Sequence, residues 1–128
     1  MVKDTQRRYP GKPPRLRWVF DDTPLYFVTT TVKDRRPLLA SQAVTDCCIR
    51  FAEIAYERFG IAVGRFVVMP DHVHLFVRGP IGFELDAWIQ SLKAAITRSL
   101  RMGGEQGEIW QRGFFDHVLR SDESYGQK

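Results

Sequence analysis

Two histidines one residue apart have the clearest capacity for chemistry in this sequence. His72 and His74 follow a Pro70–Asp71 pair, and apolar runs lie on either side at Phe66–Met69 and Leu75–Val77. This pattern predicts a hairpin whose second strand carries both histidines. Side chains at positions i and i+2 of a strand share a face, so we expect the two imidazoles to lie together. They are suitable ligands for a divalent metal ion, although such a pair taken alone is more often a hydrogen-bonded surface feature.

The sequence around the histidines resembles a known motif. Residues 69–77, Met-Pro-Asp-His-Val-His-Leu-Phe-Val, resemble the HUH motif of single-tyrosine transposases, especially the REP-associated tyrosine transposases of bacteria. The resemblance continues in residues 109–120, Ile-Trp-Gln-Arg-Gly-Phe-Phe-Asp-His-Val-Leu-Arg, and in Asp-Glu-Ser-Tyr at 122–125. It implies a DNA transposase that cuts and joins single-stranded or hairpin DNA at palindromic repeats through a 5′-phosphotyrosine intermediate. It also implies a homodimer and no organic cofactor.

The resemblance assigns roles to individual histidines. His72 and His74 would hold Mg²⁺ or Mn²⁺, which neutralises charge at the scissile phosphate while a tyrosine phenolate attacks. His117 would be a further metal ligand, with an ordinary strand histidine as the alternative.

Three basic residues are candidates for contacts with DNA phosphates, and solvated surface charges are the alternative interpretation. They are Arg112, Arg120 and Lys93.

The position of the nucleophile is less well defined. In the REP-associated branch the catalytic tyrosine belongs to a Tyr-Ile-x-x-Asn-Pro-like string, which does not occur in this sequence. Tyr125 is the candidate catalytic residue, but it corresponds better to a structural tyrosine upstream of that string. Gln127 follows it too closely to match the Tyr-x-x-x-Gln pattern of other relatives. The resemblance therefore places the true nucleophile beyond Lys128, the last residue of the sequence.

The last residues contain the signals of a helix start but are too few to complete a helix. Ser121 and the acidic residues after it are typical of a helix start, yet residues 122–128 fall short of the roughly 12 residues that an isolated helix needs. We therefore expect a final helix that is incomplete and a shortened copy of such a transposase, either active or inactive. The alternative function is a DNA-hairpin-binding module that does not cleave.

Composition favours a single cytoplasmic domain. The chain has 128 residues, of which 44% are hydrophobic, and no apolar run approaches the roughly 20 residues of a membrane span. A signal-peptide core is also missing from the first residues. The net charge of +4 favours a polyanionic partner. Cys47 and Cys48 are adjacent, so we interpret them as reduced packing residues.

Residues 1–24 are expected to form a basic, extended arm. Prolines interrupt this stretch, so it is unsuited to a packed element. The arm either follows a phosphate backbone or is solvated and disordered. Its residues 7–17 hold five basic side chains, which are Arg7, Arg8, Lys12, Arg15 and Arg17.

Residues 25–128 are expected to form one domain with the order strand, helix, strand, strand, helix, strand. This order predicts an α+β ferredoxin-like sandwich, with an antiparallel sheet and both helices on one face. An RNA-binding domain of the same fold would need exposed aromatic side chains on the sheet, where the histidines are expected instead. The predicted elements are Leu25–Val32, a helix from Ser41 to Gly60, Ile61–Met69, His72–Arg78, Glu84–Met102 and Trp110–Arg120. The last of these is a strand region with an aromatic bend at Phe114 and Phe115.

Overall fold

The computed structural model describes residues 23–119, which form an antiparallel sheet and two long helices. In chain order the elements are β1 (Leu25–Thr31), a 3-10 turn (Lys33–Arg35), α1 (Gln42–Phe59), β2 (Ala62–Met69), β3 (His72–Arg78), α2 (Leu85–Met102) and β4 (Phe115–Leu119). Within these residues the strand order is β2–β3–β1–β4, and every neighbouring pair is antiparallel. This order confirms the predicted ferredoxin-like α+β sandwich.

Alternate residues of the two central strands divide the sheet into two faces. One face packs against both helices, and its Val28, Leu75 and Val77 are fully buried in a core with Val44 of α1 and Ile89 of α2. Each such side chain contributes roughly 1.5–3 kcal/mol by leaving water. The intervening residues form the opposite face, which we call the histidine face. It contains Phe27, Thr29 and Thr31 of β1 and His72, His74 and Phe76 of β3.

The ends of α1 are set by the residues that the sequence indicated. The Ser41 hydroxyl accepts a hydrogen bond of 3.2 Å from the backbone N–H of Val44. Gly60 ends the helix at φ 67°, a left-handed conformation that glycine adopts without strain. Cys47 and Cys48 are both free. Burial raises the pKa of Cys48 to about 12, so its thiol remains protonated.

Strand β2 contains a β-bulge. Its register with β3 shifts by one residue between Gly64 and Val67, and Arg65 in this interval has φ 47°. A bulge of this kind reverses which alternate residues face the core. As a result Val63 and Phe66, three residues apart, both pack against the core.

The last strand is shorter than the sequence predicted. Strand β4 begins at Phe115, whereas Trp110 forms an isolated bridge with Val32. Gly113 has φ 76°, so the chain turns before the strand can begin. Arg120, the predicted end of the strand, lies outside the described residues.

Two other predicted segments also lie outside residues 23–119. They are the final helix, expected between Ser121 and Lys128, and all but the last two residues of the basic arm. No helix in the part of the chain that the structure describes is long and apolar enough to cross a membrane.

Replacing Ser41 tests the cap of α1. The variant Ser41→Ala loses the hydrogen bond to Val44, so we expect the free energy of unfolding to fall by about 1 kcal/mol. Urea denaturation measures the change. Ser91→Ala is the control, because among the described residues the Ser91 hydroxyl donates to the Ala87 carbonyl on the exposed side of α2 and caps no helix end. An equal loss in both variants would contradict the capping role.

Candidate metal centre

The two histidines begin a strand whose preceding turn is held from two sides. Met69 and His72 pair across the turn formed by Pro70 and Asp71. The Asp71 carbonyl accepts a hydrogen bond of 2.9 Å from the N–H of Val32, and the Pro70 carbonyl accepts one of 2.9 Å from Leu39. These bonds tie the turn to the end of β1 and to the loop before α1. The start of β3 is therefore fixed in position.

The imidazoles of His72 and His74 lie together, as predicted. Their Nε2 atoms are 2.9 Å apart, and the rings meet edge to face with centroids 4.4 Å apart at 77°. Both side chains are partly buried. Two ring nitrogens therefore converge on one point of the histidine face.

Asp71 determines which nitrogen of His72 is available. Its Oδ1 lies 2.8 Å from His72 Nδ1, and its Oδ2 accepts a hydrogen bond of 2.7 Å from Arg35 Nε. Hydrogen bonds from His72 and Arg35 lower the pKa of the Asp71 carboxyl, so it remains an ionised acceptor. An ionised carboxylate only accepts, so Nδ1 of His72 carries the hydrogen, and in the neutral ring Nε2 keeps its lone pair.

His74 is held by two residues of β1. Thr29 Oγ1 lies 3.1 Å from Nδ1 of His74, and the Phe27 ring stacks on the imidazole with centroids 5.7 Å apart at 20°. Burial, and secondly the charge of His72, lowers the pKa of His74. The neutral imidazole, which is the form that binds metal, is therefore favoured.

This donor set fits a divalent cation. Two ligand atoms that each lie roughly 2.1 Å from an ion, with a right angle between the two bonds, are about 3 Å apart. The two Nε2 atoms of the pair are 2.9 Å apart. Among residues 23–119, no three histidine, cysteine, aspartate or glutamate side chains form a metal-binding group. A site with few protein ligands leaves positions for waters and substrate phosphates, as Mg²⁺ sites do. Imidazole ligands are also typical of Zn²⁺ and Fe²⁺, so the choice of Mg²⁺ or Mn²⁺ stays a prediction.

The structure does not bring His117 into this pair. His117 is in register with Phe27, whereas His74 is in register with Thr29. Strand β1 therefore separates His117 from the pair. Its predicted role as a further ligand stays a prediction.

Both predicted positions of the catalytic tyrosine lie outside the part of the chain that the structure describes. Tyr125 comes after the last described residue, and so does Lys128, beyond which the sequence led us to expect the true nucleophile. The catalytic role of Tyr125 and a nucleophile after Lys128 therefore both stay predictions.

Lys93 has a different role from the DNA contact that the sequence suggested. Only 6% of Lys93 is exposed, and its ammonium donates hydrogen bonds of 2.7 Å to the Gly113 carbonyl and 3.4 Å to the Gln111 carbonyl. It also lies 5.8 Å from the centre of the Trp110 ring. Burial lowers the pKa of Lys93. The side chain therefore holds the loop before β4, because its ammonium donates to two carbonyls of that loop.

Arg112 is exposed, and its predicted contact with a DNA phosphate stays a prediction. It is exposed at the rim of a cleft of about 840 Å³ between α2 and the loop before β4. Arg98 and Lys33 also line this cleft, but Lys33 is paired with Glu108. The third predicted DNA contact, Arg120, lies beyond the described residues.

Sequence reasoning missed the residues of β1 that support the pair. Thr29 and Phe27 reach His74 only because β1 and β3 pair in one register, and a single sequence carries no direct signal for register. Asp71 could have been recognised, because it is the immediate neighbour of His72 and is a suitable partner for its ring nitrogen.

Replacing Lys93 tests its structural role. In Lys93→Met the carbonyls of Gly113 and Gln111 lose a charged donor, so we expect the free energy of unfolding to fall by about 1–2 kcal/mol. Urea denaturation measures the loss. Lys33→Met is the matched control, and little change is expected because its partner Glu108 is solvent-exposed. Unchanged stability of Lys93→Met would show that the loop does not depend on the ammonium.

Comparisons with known proteins agree with this fold and motif. The family model described as Transposase IS200 like matches residues 24–124. A Haemophilus influenzae protein assigned as a REP-associated tyrosine transposase is 27% identical over 109 residues, covering 77% of this chain and 61% of that protein. An uncharacterized protein of the same bacterium is 25% identical over 89 residues, covering 52% and 49%. The chain thus spans between about half and three fifths of these two relatives.

Solved structures share the fold at lower sequence identity. A Deinococcus radiodurans protein assigned as a transposase has a TM-score of 0.63 at 20% identity, over 77% of this chain and 81% of that one. A REP-associated tyrosine transposase bound to a REP hairpin has a TM-score of 0.58 at 21% identity, over 81% and 61%. Because the family model matches most of the sequence and includes the histidine pair, this chain belongs to the IS200-like transposase family.

Proposed function

We propose that this protein is a metal-dependent transposase of the HUH single-tyrosine class that acts on single-stranded or hairpin DNA at palindromic repeats. The convergence of the Nε2 atoms of His72 and His74, at 2.9 Å, is the observation that carries the proposal. Family membership supports it. The relative whose structure contains a REP hairpin supports hairpin DNA as the substrate.

The residues of the histidine face prepare the pair for a cation. Asp71 keeps the hydrogen of His72 on Nδ1, and Thr29 and Phe27 hold the ring of His74. A bound Mg²⁺ or Mn²⁺ would neutralise negative charge on a phosphate placed there. Because these supporting contacts all come from strands or from the anchored turn, the ligands need little reorganisation when an ion binds.

The proposed reaction is a transesterification. A tyrosine oxygen forms a bond to the phosphorus, and the bond to the 3′-oxygen of the neighbouring nucleotide breaks. The products are a 5′-phosphotyrosine and a free 3′-hydroxyl, which takes up a proton, and joining reverses these steps with a new 3′-hydroxyl. An ordinary tyrosine has a pKa near 10 and is a weak nucleophile at neutral pH, which explains the need for charge neutralisation at the phosphate.

Metal binding tests the role of the histidine pair. We expect His72→Ala and His74→Ala each to weaken Mn²⁺ binding about tenfold or more, because each removes one of two converging nitrogens. Isothermal titration calorimetry or the electron paramagnetic resonance of free Mn²⁺ measures the affinity. His117→Ala is the control on the same sheet face. A loss in His117→Ala equal to that in the other variants would instead make His117 a ligand.

Cleavage is tested with labelled hairpin DNA and Mn²⁺ on a denaturing gel. If Tyr125 is the nucleophile, we expect a covalent protein–DNA adduct with the unmodified chain and none with His72→Ala, because the phosphate then lacks its cation. Loss of the adduct in Tyr125→Phe would identify Tyr125 as the nucleophile. Hairpin binding without any adduct would contradict cleavage and favour the alternative of a binding module.

A further inference from the structure

The histidine face carries an exposed aromatic ring near the histidine pair. Phe115, at the start of β4, is 63% exposed. The sequence led us to expect histidines in place of exposed aromatic side chains on this face, and Phe115 corrects that expectation. A large apolar side chain exposed to this degree on a β-strand is a candidate contact for a ligand.

The strand registers place Phe115 in one row with His74. Thr29 pairs with His74 on one side and with Phe115 on the other. Residues that pair directly across an antiparallel ladder share a face, and the contact of 3.1 Å between Thr29 Oγ1 and His74 Nδ1 agrees with this for Thr29. Two strand spacings separate Phe115 from His74, which is roughly 10 Å.

We infer that Phe115 stacks on an unpaired nucleobase of the DNA strand whose phosphate lies at the histidine pair. The inference rests on the proposed function. A single strand crossing the pair exposes the flat faces of its bases, and an aromatic ring is the side chain that matches such a face. A separation of roughly 10 Å is about three nucleotides at the roughly 3.4 Å rise of a stacked strand and fewer in an extended one.

On the β2 side of the histidine pair, the exposed side chains are apolar but not aromatic. Met69 and Val67 pair with His72 and His74 from β2 and are 41% and 44% exposed. They offer apolar surface but no aromatic ring. Among the exposed side chains that flank the pair within residues 23–119, only Phe115 carries an aromatic ring. Base stacking is therefore assigned to the β4 side, and the bound strand runs from the pair toward β4.

The test measures binding of hairpin DNA with a single-stranded thymidine tail, by fluorescence anisotropy with Mn²⁺. One abasic site is moved along the tail, which removes a base and leaves every phosphate. With the unmodified chain, one tail position within about three nucleotides of the metal-bound phosphate should weaken binding about fivefold or more. Phe115→Ala and Phe115→Leu should bind intact and abasic tails equally, whereas Phe115→Trp should still distinguish them.

Val118→Ala is the matched control. Val118 lies on the same strand and is 45% exposed, but it pairs with Tyr26 and faces the other side of the sheet. It should distinguish the two tails as the unmodified chain does, and circular dichroism confirms that each variant is folded. The inference would be overturned if Phe115→Ala distinguished intact from abasic tails as well as the unmodified chain does. A Phe115→Ala variant that only changes a dimer into a monomer would overturn it as well.

The outcome also separates this inference from the proposed function. A chain that binds no hairpin DNA at all would contradict both. A chain that binds the DNA and depends on His72, but is indifferent to the Phe115 ring and to every abasic site, would keep the proposed function and overturn only the stacking role.

Discussion

Six consecutive residue pairs join β1 to β3, from Tyr26 and Val77 at one end to Thr31 and His72 at the other. The candidate metal centre depends on this register. Because side chains alternate between faces, a slip of one residue would turn both imidazoles toward the helices and bring valines to the surface. The burial of Val28 and Leu75 against the helices opposes such a slip. The hydrophobic core on one face thus specifies the chemistry on the other.

Strand β4, at one edge of the described sheet, is positioned by residues of helix α2. The buried ammonium of Lys93 holds the carbonyls of Gln111 and Gly113, and the indole N–H of Trp110 donates to the Lys93 carbonyl at 3.2 Å and to Thr97 Oγ1 at 3.0 Å. These bonds fix the loop that delivers the chain to β4. The sequence suggested that the positive charge of Lys93 binds DNA. In the structure this charge lies inside the protein, where it positions β4, the strand that carries Phe115.

Local patterns predicted the parts of the fold that depend on neighbouring residues. Alternation placed His72 and His74 on one face, and a capping serine and a terminal glycine marked the limits of α1. Lys93 was misassigned because lysine is seldom buried, and the carbonyls that satisfy it come from a distant loop. Strand β4 was predicted too long because the left-handed turn at Gly113 is not visible in the hydrophobic pattern. The contacts of Thr29 and Phe27 with His74 needed a register that local pattern does not give.

The bulge in β2 bears on how this scaffold can vary in evolution. Strand β2 lies at the edge of the described sheet and pairs only with β3 there, so a gain or loss of one residue near Arg65 changes the alternation of β2 alone. The central strands, which hold both histidines and their supports, keep their own alternation. Relatives can therefore differ in the length of this edge strand, and in the side chains that it presents beside the pair, while the two ring nitrogens keep their spacing.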